Sequence, residues 1–416
     1  MESEGVRSLP EELERKDRKT KMERDVAVLG VGAHPWGKFN DKDFIDLAVI
    51  AANEAFKDAG IGWKDIQAMV CAETVWSGKS GLYAGQFVSR ALGSTGIPAV
   101  NIQNGCASGA VALAIAAMMI KSGMCDIALA VGGDVSPEGF LPALAGEDPL
   151  SPDSLRFTAI GATNPVHWAL DCRRRMEEYG TTEAHLAKVK VKNSKYGSSN
   201  PLARYRKVFT LEEVLNSAVV CYPLRLYEIC ATSDGGGAVI LSSMEVARRY
   251  TSRPVILAAA TLGNLVYGDP TVQIGSHVAY KVNSSVPMAS EVVQSSRKAY
   301  EEAGIGPEEL DFAELPDNSS WHELMYMEAL GFCGPGEAER LLDDGATELA
   351  GRLPINASGG FASFGEAVAA QGLLQVYEIV RQLREQAGPR QVQGAKVGFG
   401  QVYGAQGNAG TVIVKK

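Results

Sequence analysis

Apolar and polar positions along the chain fall into two matching series. NEAFKDAGIGWKDIQAMVCAE (53–73) and RKAYEEAGIGPEELDFAELPD (297–317) each read as the end of a helix, an Ala-Gly-Ile-Gly stop, a polar turn and an apolar strand. In both, the glycines at 60 and 304 fall where a left-handed helix cap is expected. Each copy is followed by a second glycine-flanked helix, NGCASGAVALAIAAMMIKSG (104–123) in the first half and GGFASFGEAVAAQGLLQVYEIVRQLRE (359–385) in the second. The first of these is a run of small and apolar residues, the pattern of a buried helix. Each half then returns to a strand, IALAVGG (127–133) or AKVGFG (395–400). Helices alternating with short β-rich runs predict a layered α/β fold of two pseudo-equivalent halves, with buried and mostly parallel strands.

The pattern also sets boundaries. Residues 1–25 are highly charged and hold no apolar run, so they read as a contact-making or mobile arm and not as a signal or membrane span. The halves run over 26–250 and 251–416, and the first contains a more polar loop insertion at about 137–220, of the kind that covers a site built on a rigid scaffold. At 416 residues, 46% hydrophobic and 21% charged, the chain is globular, and its net charge of −9 leaves no basic stripe for nucleic acid. Seven cysteines without a CxxC pair argue against a disulfide framework and against a metal site in this chain, and a reducing cytoplasm is the simplest compartment. DGGG (234–237) precedes a strand and lacks the phosphate-loop frame, so it reads as tight-turn glycines.

One of those cysteines has a special setting. Cys106 lies between Gly105 and the buried helix, where helix N–H groups and the positive end of the dipole favour a thiolate and can hold an oxyanion. Packing is the alternative for any single small cysteine, and the other six keep that reading.

With these motifs the chain resembles the thiolase superfamily. The resemblance spans about 26–416. It rests on the duplicated halves, NGCASGA opening a helix, TSDGGGAVIL closing the first half, EALGF followed by INASGG, and VYGAQGNAG near the end. The pattern is most similar to the sterol carrier protein type. The resemblance implies two βαβαβαββ halves in a five-layer α-β-α-β-α arrangement, usually dimeric, acting on carbon–carbon bonds beside a coenzyme A thioester. It also implies that Cys106 is the nucleophile.

Departures from the family pattern lie around that cysteine. Where the family carries a GHP-type histidine the chain reads GEAVAAQG, with Glu366 in the histidine's place; ionised it is a base, and protonated it is a donor. A carboxylate at a helix N-terminus is also an ordinary dipole partner. Pro316-Asp317-Asn318-Ser319 replaces the HDCF segment, which leaves Asn318 as a donor candidate, and His322 nearby either compensates or caps a helix. Val402-Tyr403-Gly404 stands where other members place a second cysteine, so Tyr403 is a candidate proton donor and Gly404, with Gly360, a candidate backbone oxyanion donor. Lys195, Arg204, Arg206 and Lys207 are candidates for coenzyme A phosphates, with a solvated face as the alternative. His167 and His277 lie in segments that suit a tunnel wall, although packing also accounts for them.

Three functions stay open. The resemblance favours thiolysis of a bulky, aromatic or steroid-like β-ketoacyl-CoA through a cysteine acyl-enzyme, with coenzyme A as substrate and product. A retro-aldol lyase on a β-hydroxyacyl-CoA is the second, and a non-catalytic acyl-CoA or lipid carrier the third. The resemblance also implies a homodimer and a small zinc-ribbon/OB-fold partner subunit.

Overall fold

The computed structural model describes residues 24–73, 81–136, 164–266, 289–404 and 407–416. Most of the charged arm, the start of the insertion at 137–163 and His277 lie outside the described residues. Strands in chain order are β1 (Val26–Gly37), β2 (Ala68–Ala72), β3 (Ala99–Ile102), β4 (Ile127–Val135), β5 (Val219–Cys221), β6 (Leu224–Arg225), β7 (Asp234–Ser243), β8 (Val255–Asn264), β9 (Phe312–Glu314), β10 (Val397–Gly404) and β11 (Asn408–Lys415). The helices are α1 (Phe44–Ala59), α2 (Ala84–Leu92), α3 (Ser108–Lys121), α4 (Asn164–Tyr179), α5 (Glu183–Ser198), α6 (Leu211–Leu215), α7 (Met244–Tyr250), α8 (Ser290–Ala303), α9 (Ser320–Ala329), α10 (Ala338–Asp343), α11 (Gly360–Phe364) and α12 (Gln371–Leu383).

The repeat in the sequence is a repeat in space. α1 begins where Asp43 accepts the N–H groups of Ile45 and Asp46, and it stops at Gly60 with φ 68°. α8 stops the same way at Gly304, φ 67°. A single 3-10 turn follows each cap, at Trp63–Asp65 and Pro307–Glu309, and leads into β2 or β9. The large sheet runs β3-β2-β4-β7-β1-β8-β11-β10-β9. It is two half-sheets joined edge to edge, with Ala27 opposite Ile256 and Val28 opposite Val255. An isolated parallel bridge from Ala313 to Ile355 supplies, beside β9, what β3 supplies beside β2.

The expectation of mostly parallel strands is corrected. β2 pairs in parallel with β3 and β4, and β9 with β10, but β1–β7, β4–β7, β8–β11 and β10–β11 are antiparallel. β10 and β11 are separated by only three residues, and so short a connection can join strands only as a hairpin.

Alternation along the strands builds the layers. Leu129 and Val131 of β4 face Phe44, Ala48 and Ala55 of α1 and Val88 of α2. Ala128 and Ala130 face the other way, toward Leu113, Ala116 and Ile120 of α3. That central cluster also takes in Leu373, Val376 and Val380 of α12 with Val412 and Val414 of β11, while Ile413 and Phe399 pack outward with Val292 and Ala299 of α8. The outcome is helix, sheet, helix, sheet, helix. The two central helices touch where they have no side chains: a Cβ on Gly109 would lie 2.9 Å from Ala369 O, and one on Gly372 2.8 Å from Ala110 N. Among the described residues no helix is long and apolar enough to cross a membrane.

Candidate active site

Cys106 stands two residues ahead of α3, in a turn with Gly105 at φ 55°. Ser108 fastens that turn, its hydroxyl donating to Gly105 O and accepting from Asn104 N, both at 2.7 Å. Across from it runs the end of β10. A Cβ on Gly404 would come within 2.6 Å of Asn104 O, so a glycine is required for the strand to lie this close to the Cys106 turn.

The second-half helix around Glu366 is not continuous. α11 ends at Phe364, Gly365 turns at φ 78°, and α12 starts only at Gln371. In the gap Glu366 makes a parallel bridge with Thr232: its N–H donates to Ala231 O and its carbonyl accepts from Ser233 N, each at 2.7 Å. Glu366 is therefore not at a helix N-terminus; backbone pairing fixes it. The bridge brings in Cys230, whose thiol donates a hydrogen bond to the Glu366 carboxyl. Burial, reinforced by Asp134, pushes Glu366 up to about 7, and burial followed by the nearby Glu366, Asp317 and Cys106 pushes the Cys230 thiol well above its ordinary range. Cys230 thus lies within the electrostatic reach of both Glu366 and Cys106, although by sequence it reads as a packing cysteine.

Tyr403, near the end of β10, shares this cluster. Burial raises its hydroxyl well above the tyrosine range, with Glu366, Cys106 and Cys230 adding to the shift. His322 is fully buried, and burial pulls its imidazole down to about 3, so it is neutral. His322 caps a helix, one of its two sequence alternatives, and it also touches Tyr403. Its Nδ1 lies 3.1 Å from Ser319 N and 2.9 Å from Ser319 Oγ, capping α9, while Nε2 lies 3.2 Å from Tyr403 Oη. A backbone N–H can only donate, so Nδ1 is the acceptor and the ring proton sits on Nε2, directed at Tyr403 Oη. The tyrosine's own proton is then available for donation elsewhere. The rings of His322 and Tyr403 stack at 5.5 Å, and Trp168 meets His322 edge-on at 4.8 Å.

Other candidates sort by distance from this cluster. Asn318 is buried; its carbonyl accepts from Cys230 N at 2.9 Å, and its Oδ1 has no partner among the described residues. Asp317, beside it, accepts from Phe361 N, Ala362 N and Asn193 Nδ2 and so anchors α11; burial, then Glu323, raises it to about 6. The Gly360 N–H donates to Ser358 Oγ at 3.0 Å, and Gly404 pairs with Asn408 in the β10–β11 ladder. Arg204 donates to Thr232 O and Ser233 Oγ and so steadies the Cys230 segment. Arg206 and Lys207 are exposed, bonded to Ser198 O and Glu213, and Lys195 pairs with Glu348 at the surface. His167 is buried in α4.

A cavity of about 430 Å³ is lined by Tyr205, Phe209, Leu226, Tyr227 and Ile229 and by Cys230, Ala231 and Thr232, so Cys230 is the member of the cluster that reaches it. Lys190 of α5 lines it as well. Among the described residues no group of histidine, cysteine and carboxylate side chains is arranged to hold a metal.

Comparison with known proteins agrees with this fold. The family model "Thiolase, N-terminal domain" matches residues 26–245 and "Thiolase C-terminal domain-like" matches 275–416. The chain belongs to the thiolase superfamily, as an enzyme of the acyl-CoA acyltransferase class. It is 34% identical over 401 residues to an acetyl-CoA acetyltransferase of Methanothermobacter thermautotrophicus, covering 94% of this chain and 99% of that one. It is 31% identical over 376 residues to the benzoylsuccinyl-CoA thiolase subunit BbsB of Thauera aromatica, covering 90% and 92%. Among solved structures, an Ltp2-ChsH2(DUF35) aldolase superimposes with a TM-score of 0.79 at 26% identity, over 94% of this chain and 97% of that one.

Proposed function

We propose that the chain cleaves a bulky β-ketoacyl-CoA by thiolysis through an acyl-enzyme on Cys106. The observation that carries this reading is the single buried cluster that gathers a helix-mouth thiol, a carboxyl poised near neutral pH and a tyrosine hydroxyl. Glu366 takes a proton by way of Cys230, and the Cys106 thiolate attacks the β-keto carbonyl. The α–β carbon bond breaks and Tyr403 protonates the departing enolate carbon; the coenzyme A thiol then gives its proton to the Tyr403 phenolate and takes the acyl group from sulfur, and Glu366 returns its proton to the released Cys106 thiolate by way of Cys230. His322 holds Tyr403 in the donating orientation. The aromatic cavity suits a large acyl group, and the benzoylsuccinyl-CoA thiolase relative supports an aromatic one.

Assembly belongs to the same reading. The outer edge of β3 has no strand partner among the described residues, and exposed Leu82 and Tyr83 flank it, which suits a homodimer. A relative described as a subunit and a neighbour described as Ltp2-ChsH2(DUF35) support a small zinc-ribbon/OB-fold partner. The aldolase neighbour also supports the second reading, a retro-aldol cleavage that needs base and enolate stabilisation but no acyl-enzyme.

Substitution separates the two. Cys106→Ala is expected to lower thiolysis by about 10³-fold or more, and mass spectrometry of the wild type quenched during turnover is expected to find the acyl group on Cys106. A fully active Cys106→Ala protein would overturn thiolysis in favour of the lyase.

A further inference from the structure

Three lysines stand two residues apart on α5, and two of them are answered by carboxylates. Lys188 is at the surface with Asp343 at 2.6 Å. Lys192, with a side chain 1% exposed, meets the fully buried Glu323 at 2.5 Å and donates to Ile355 O at 3.1 Å. Lys190, between them, is 5% exposed and lines the cavity, yet its ammonium makes one hydrogen bond, to Ala362 O at 2.6 Å, and lies 5.1 Å over the Phe209 ring. Two of its three N–H groups have no acceptor among the described residues. Asp317 is the nearby negative charge, but its oxygens are taken up by Asn193, Phe361 and Ala362, and no ion pair joins it to Lys190.

An ammonium with no ion-pair partner among the described residues, set against aromatic rings, costs free energy unless a ligand completes it. Burial lowers Lys190 to about 8, so it is still charged at neutral pH. Resting on the acyl-CoA reading above, we propose that Lys190 makes the cavity a receptor for an acyl group that carries a carboxylate. The aromatic side chains take the hydrocarbon of that group, and its thioester end lies toward Cys230, which is within the electrostatic reach of Cys106. A coenzyme A phosphate offers the same anionic oxygen, so the test must tell the two sources apart.

The probes are mono-CoA thioesters of adipate and of sebacate, each paired with its methyl ester, together with free coenzyme A. Calorimetric titration into the Cys106→Ala protein reads binding without turnover. At least one free acid is expected to bind about tenfold or more tightly than its ester. Lys190→Met is expected to erase that preference while leaving the esters and coenzyme A within about twofold. Lys190→Arg, which keeps the charge, is expected to retain it, and a single cooperative melting transition shows that both variants fold. Equal binding of acids and esters by the parent protein would overturn the proposal. So would a Lys190→Met loss shared by the esters and coenzyme A, which would assign the lysine to the phosphates. Because affinity and not cleavage is read, failure here is distinct from failure of the acyl-enzyme test on the wild-type protein.

Discussion

A Glu366 carboxyl raised to about 7 by burial makes the proposed chemistry depend on pH. Below about 7 Glu366 is protonated and cannot take a proton from Cys230; above it, it can. kcat/KM is expected to rise about tenfold per pH unit up to that point and then level off. Glu366→Gln is expected to remove this limb and lower kcat by about 10²–10³, and a pH–rate profile of both proteins checks it; an unchanged limb in the variant would assign it elsewhere. Stability runs the opposite way. A raised carboxyl pKa contributes stability that is complete below the ordinary value of 4.5 and is lost as pH rises through about 7, so the reactive form is the less favoured one. The places of Cys106, Glu366 and Tyr403 were legible because each stands at a recognisable motif position, and His322 was legible only as the neighbour of one. Cys230 and Lys190 were not. The partner of Cys230 lies across a backbone bridge that no local pattern announces, and Lys190 is marked only by lacking the carboxylates that its neighbours have.

At the scale of elements, the contact between α3 and α12 ties architecture to chemistry. Gly372→Ala places a methyl 2.8 Å from Ala110 N, where backbone must yield. A loss of about 1–3 kcal/mol is expected in urea unfolding, together with reduced turnover, since α3 carries Cys106 on its leading turn. Wild-type turnover in this variant would detach the nucleophile's position from helix packing. The helix caps, the repeat and the buried character of α3 could be read from periodicity and glycine placement. The interruption between α11 and α12 could not, because an apolar run continues through it; Gly365 and the pairing of Glu366 with Ala231 and Ser233 break the helix by tertiary contact. Strand direction was misjudged for a related reason, since alternation reports which faces are buried and says nothing of which neighbour a strand meets.

Across the whole molecule, α5 of the insertion is fastened to the second half by charges that water does not reach. Lys192 and Glu323 are joined by Asn193 and Asn356, both of which donate to Glu323. Lys192→Met would strand that carboxylate and is expected to cost about 3–5 kcal/mol, with Glu323→Gln in the same chain recovering part of it; equilibrium unfolding of the single and double variants measures the difference. A cost near zero would mean that the insertion docks by apolar contact alone. The duplication itself was visible from sequence, whereas the joining of the two half-sheets through β1 and β8 was not. The place where the central helices meet carries a historical consequence. A half-length ancestor pairing with itself would have had two equivalent helix mouths at this seam, each with the same residue. Here one helix mouth presents a thiol, while the carboxyl comes from a backbone-paired segment ahead of the other helix, so symmetry has given way and each copy of the duplicated unit brings a different group to the cluster.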